Sequence, residues 1–156
     1  MKDPKERTAA GSPPALAAEP AVEEIPELPE VGVAEIDADH HRLIVRYRML
    51  MRKVNRDHDP HRFALMFHIF ILQVRRHFER EELLMEEIGF PHYDHHRFLH
   101  RKLMRDAEEF LVDLIKGEEE VTAAAATNYL EHWLINHITS HDRRIGQFLA
   151  DEMLSS

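Results

Sequence analysis

From Val31 onward, apolar residues recur at alternating steps of three and four, and no stretch holds the two-residue alternation of a β-strand. The first helical segment runs from about Ala38 to Asn55, with a seam at His40, Leu43, Tyr47, Leu50 and Val54. Asp59-Pro60 then supplies an N-cap followed by proline at the first helical position. The second segment continues to about Ile88 along Phe63, Phe67, Phe70, Val74, His77, Glu81, Leu84 and Ile88, and Gly89-Phe90-Pro91 breaks it. A third, from about His92 to Lys116, carries His96, His100, Leu103, Ala107, Phe110 and Leu114 before Gly117 stops it. The fourth runs from about Val121 to Met153 with Leu130, Leu134, His137, His141, Ile145 and Phe148 on its seam. Four amphipathic helices joined by short connections predict an all-α fold, an up-down-up-down antiparallel four-helix bundle.

The first 30 residues read differently. Six of the eight prolines fall before residue 30, among Ala and Glu and with no aromatic residue, which predicts a flexible leader over 1–30 and a bundle domain over 31–156. The leader lacks a Leu-rich core of the kind a secretory signal needs. The longest apolar stretch, ALMFHIFILQV at 64–74, is too short to span a bilayer and contains His68, so no membrane partner is expected. A formal charge of −9 argues against a nucleic-acid partner, because phosphate binding needs Lys and Arg to displace counterions.

Thirteen His and no Cys change the picture more. Without Cys, a metal would have to be held by nitrogen and oxygen, and the absence of disulfides suits a cytoplasmic location. All four seams carry His: His40, His77, His96 with His100, and His137. Residues four apart on a helix lie about 40° apart around its axis, so His77 with Glu81, and His96 with His100, each converge. Unpartnered buried polar groups cost about 1–3 kcal/mol each, and an isolated carboxylate costs more or protonates. A cation at the bundle centre removes the conflict. Five imidazoles exceed what a single four-coordinate zinc takes, so two metals sharing carboxylates fit better. On the fourth helix Asp142 is one candidate, but it lies about 140° from His137 on an ideal helix, and periodicity alone prefers His141.

The segments VGVAEIDADHHRL (31–43), HFEREELLM (77–85), GFPHYDHHRFLH (89–100) and WLINHITSHD (133–142) resemble the hemerythrins, most closely the single-domain bacteriohemerythrins. The resemblance implies a non-haem di-iron protein that binds O2 reversibly, for carriage, storage or delivery, and that is not an enzyme. It implies two Fe ions with an oxo or hydroxo bridge: one held by His96, His100 and His137, the other by His40 and His77, with Glu81 and Asp142 bridging. It thereby selects Asp142 over His141 and leaves the two-imidazole iron an open position for O2. Leu43, Phe78, Trp133, Leu134 and Ile138 occupy positions that line the family's O2 pocket. A monomer is expected.

One departure stands out. The family usually has a Trp in its N-terminal arm, where this chain reads EEIPELPEV. Two other functions compete with O2 carriage. An O2 or redox sensor would need a separate protein partner, since no output segment is recognisable. A di-iron oxidase or peroxidase of the ferritin-like kind would use Glu-x-x-His pairs, and the chain has none. The remaining His41, His92, His95, His132 and His141 are expected to be mostly solvated.

Overall fold

The structure, a computed structural model, describes residues 28–56, 59–117 and 123–155. The leader therefore lies almost wholly outside the described residues, as does Val121. Helix α1 spans Ala34–Arg56, α2 Pro60–Glu87, α3 Tyr93–Lys116 and α4 Ala123–His137. A π-helical turn, Ile138–Asp142, joins α4 to α5, Arg143–Ser155. The fourth predicted helix is thus two α-helical pieces joined by a wider turn.

Local chemistry accounts for the ends. Asp59 caps α2, its carboxylate accepting from the amides of His61 (3.0 Å) and Arg62 (3.4 Å), with Pro60 at the first position. Gly117 closes α3 in the left-handed region (φ 72°), donating to the carbonyls of Asp113 and Leu114. In the first turn of α1, Asp37 accepts from the amides of Val31 (2.7 Å) and Gly32 (3.0 Å) and folds the preceding arm back over the helix start. That arm then crosses Gly146 of α5 so closely that a Cβ there would overlap the Val31 carbonyl oxygen. The described end of the arm is thus held by backbone contacts at Val31 and Gly32.

Consecutive helices pack side by side, and α4 closes the ring by touching both α1 and α3. Two apolar clusters fill the interior. The larger gathers Tyr47, Leu50, Phe67, Phe70, Phe78, Leu130, Leu134 and Ile138, and the smaller consists of Met85, Phe90 and Ile145. Along α2 the first ends at Phe78 and the second begins at Met85. Between them, from His77 to Glu81, the core is polar.

The predicted seams hold at most positions and shift at a few. Met85 is fully buried while Leu84 and Ile88 are half-buried, and on α3 Leu111 is buried in preference to Leu103 and Phe110. A straight helix drifts about 20° per heptad from a three-and-four repeat, so the seam rotates by a residue over several turns. In the π-helical turn the shift has another cause: His141 is half-buried and Asp142 is fully buried.

Candidate metal centre

Each helix delivers its polar residues to one layer. His40 comes from α1, His77 and Glu81 from α2, His96 and His100 from α3, His137 from the end of α4, and Asp142 from the end of the π-helical turn. All seven are buried, with Glu81 and Asp142 at 0% exposure. The π-helical turn explains how Asp142 reaches the others. Winding with i→i+5 hydrogen bonds brings residues five apart back to nearly the same face. His137 and Asp142, which an ideal α-helix would set far apart, lie 3.0 Å from each other (Nε2 to Oδ1). The Thr139 hydroxyl donates to the Ile135 carbonyl (2.7 Å) where the turn widens. Sequence spacing and propensity carried no signal for this turn.

The two carboxylates face both ways. Glu81 Oε1 lies 3.7 Å from His40 and 3.5 Å from His77, while its Oε2 lies 3.6 Å from His96 and 3.3 Å from His100. Asp142 Oδ2 lies 3.1 Å from His40, while its Oδ1 lies 3.2 Å from His96 and 3.0 Å from His137. The donor atoms form two overlapping groups: His40 and His77 with both carboxylates, and His96, His100 and His137 with the same two. Within each group every donor atom lies within 4.8 Å of the others. Both oxygens of Glu81 and of Asp142, and Nε2 of His40, His77 and His96, are buried without a hydrogen-bond partner among the described residues. The nitrogens approach the oxygens closely yet outside hydrogen-bond geometry. Lone pairs aimed at shared points, and not at each other, are what cation ligation requires. His100 and His137 bring their Nε2 atoms within 3.0 Å of each other, at hydrogen-bond distance, in the same layer.

Electrostatics supports the same reading. Burial and the neighbouring Asp142 charge both push the Glu81 carboxyl up, but His77, His100 and His40 outweigh them and hold it well below the carboxylate range. Asp142 is pushed up by burial and pulled much further down by His137, His40 and His96. Burial lowers His40 and His96, yet Asp142 and Glu81 raise each to about 9. His77 is lowered, because burial and the His40 charge exceed the pull of Glu81. The two carboxylates and the surrounding imidazoles thus shift one another in the sense of opposite charges held close together.

Two further acids stand behind the ring of imidazoles. Glu82 Oε1 lies 3.0 Å from His100 Nδ1, turning the Nε2 lone pair inward. Asp39, 4% exposed, sets Oδ2 at 3.7 Å from His77 Nδ1 and binds Arg42 and Arg80. Asp39 did not emerge from the sequence; an acid directly before a candidate ligand was the available signal. The predicted pocket residues are buried too: Leu43, Phe78, Trp133, Leu134 and Ile138 share the larger apolar cluster. The Phe78 ring stacks on His100 at 3.8 Å and 8°, and Trp133 stacks on His137 at 6.1 Å. His41, His92, His95 and His132 are exposed, as expected.

Fold and site together define a helical bundle with a buried layer of five imidazoles and two carboxylates, grouped about two positions that could each hold a metal ion. A family model described as the hemerythrin HHE cation binding domain matches residues 31–149. The chain belongs to the hemerythrin family. It is 23% identical over 117 residues to a bacteriohemerythrin of Campylobacter jejuni, covering 75% of this chain and 87% of that one. A bacteriohemerythrin of Methylococcus capsulatus is 31% identical over 74 residues, covering 47% of this chain and 56% of its relative. The fold superimposes on a crystal structure of wild-type hemerythrin with a TM-score of 0.69 at 24% identity, covering 75% of this chain and 88% of the other. The family binds a di-iron centre, and the buried His, Glu and Asp cluster fits it. Among the described residues no helix is long and apolar enough to cross a membrane.

Proposed function

We propose that this protein binds O2 reversibly at a di-iron centre, as a carrier, store or donor of O2 and not as an oxidising enzyme, in the cytoplasm. The observation that carries this reading is the asymmetry of the imidazoles about the two carboxylates, three on one side and two on the other. His96, His100 and His137 would hold one iron, His40 and His77 the second, and Glu81 and Asp142 would bridge them. The side with two imidazoles would leave the room for O2. A pair of iron ions held here would supply the two electrons that O2 takes on binding and returns on release.

The protein's own part is to place and shield. Glu81 and Asp142 remain ionised and span both positions, so they fix the spacing between them. Glu82 holds the tautomer of His100, and Phe78 pins the plane of that ring. Leu43, Phe78, Trp133, Leu134 and Ile138 would form the wall of the O2 pocket, limiting the entry of water and protons that favours irreversible oxidation. The bundle from residue 31 would be the complete O2-binding unit, with the leader outside it. The test is anaerobic reconstitution with ferrous iron, which should load about two irons per chain. Air should then produce a visible ligand-to-metal band that disappears on deoxygenation. Immediate oxidation with no oxygenated species would overturn the proposal.

A further inference from the structure

On the outer side of His77, α1 and α2 enclose a cleft of about 220 Å³. Arg42 and Arg46 enter it from α1, Arg76 and Arg80 from α2, and the buried Asp39 and His77 form its floor. Each arginine pair is spaced i,i+4, so each helix sets two like charges on one ridge, facing two more across the groove. Such an arrangement is repulsive by itself, and it occurs on a chain of formal charge −9. Elsewhere arginines find acids: Arg75 pairs with Glu108, and Arg97 lies 3.3 Å from Glu82. Within the cleft Asp39 is the one carboxylate among the lining residues, and it takes Arg42 and Arg80. Arg46 and Arg76 have no ion pair or hydrogen bond among the described residues. Gln73 lines the same cleft with its amide oxygen buried and unpaired, and an amide can turn either end to a ligand.

We propose that this cleft binds a small multivalent oxyanion of the phosphate type, free or as the end group of a phosphate ester. Arg46 and Arg76 are its primary ligands, and Arg42 and Arg80 are shared between it and Asp39. The guanidinium fork matches two oxygens at once, and four forks around one concavity match a tetrahedral oxyanion from several sides. The volume falls below that of ordinary drug-sized pockets, which favours a small anion over an extended chain. The cleft shares Leu43 and His77 with the site of the proposed function and meets His77 from the Nδ1 side, where Asp39 lies. Asp39 lies beside that ring on the cleft floor. Drawing Arg42 and Arg80 toward the anion would leave Asp39 Oδ2 to the His77 Nδ1 that now lies 3.7 Å away.

The experiment is calorimetric titration of the iron-loaded full chain with inorganic phosphate and, separately, glycerol phosphate, at constant ionic strength against a chloride blank. The expected result is saturable binding at one site, weakened about tenfold or more in R46Q/R76Q and unchanged in R101Q on the exposed face of α3. Tighter binding of the ester assigns the ligand to the ester class, and equal or weaker binding assigns free phosphate. Non-saturating heats in the unmodified protein, or equal affinity in R46Q/R76Q, would overturn the proposal. Circular dichroism melts of both variants verify that the bundle is intact.

Discussion

Replacing Asp142 by Ala and, separately, its neighbour His141 by Ala tests the central claim about the π-helical turn. Asp142 is wholly buried and lies 3.0–3.2 Å from the ring nitrogens of His40, His96 and His137. Its loss removes one of the two anions of the layer and leaves Glu81 to face five imidazoles alone. Truncating one partner of a buried, paired charge costs about 3–5 kcal/mol. For a chain of this length that corresponds to a fall of about 10 °C in the Tm of the metal-free protein. Iron loading should fall from about two per chain to one or less, because both positions lose an oxygen ligand. His141 is half-buried and meets its neighbours through ring contacts, 5.4 Å from His137 and 6.5 Å from His95. Its truncation should cost under about 1 kcal/mol and leave the iron in place. The assays are colorimetric iron analysis after anaerobic reconstitution, and thermal unfolding followed by far-UV circular dichroism. Loss of iron in His141→Ala with retention in Asp142→Ala would refute the reasoning and return the fourth-helix ligand to ordinary α-helical periodicity.

Three further perturbations probe the surroundings of the centre. Glu82→Gln removes the charged partner of His100 Nδ1 and should weaken metal affinity by about 10–100-fold, measured by competition with a chelator, with little change in helix content. Phe78→Ala empties a site 3% exposed between His100, Trp133 and His137; it should cost about 3–5 kcal/mol in denaturant unfolding and speed loss of the oxygenated spectrum relative to Phe78→Leu. Gly146→Ala drives a Cβ into the Val31 carbonyl and should cost about 1–3 kcal/mol in the same unfolding assay; an unchanged midpoint would show that the arm does not cross there.

Much of this molecule is legible in its sequence. Pro60 after Asp59, Gly117 after Lys116, and apolar steps of three and four are local signals, and they set the helices, their ends and the four-helix class. The placement of His40, His77, Glu81, His96, His100 and His137 on inward faces follows from the same periodicity, since α-helical geometry alone puts i and i+4 together. The π-helical turn is of another kind. Its cost is local, and what offsets it is the meeting of Asp142 with imidazoles from α1, α3 and α4, contacts that exist only once the bundle has formed. The sequence resembling the hemerythrins pointed to Asp142, but periodicity pointed to His141, and only the packed helices supply the reason. Asp39 and Glu82 belong with it. Asp39 looks like one more acid on a charged helix, and Glu82 like a supporting neighbour of Glu81, until the packed helices bring Asp39 against His77 and the arginine cleft, and Glu82 against His100. Local spacing determined which side chains face inward along the regular helices; contacts between helices, which no spacing encodes, decided that Asp142 does so in the π-helical turn and how the inward groups are paired.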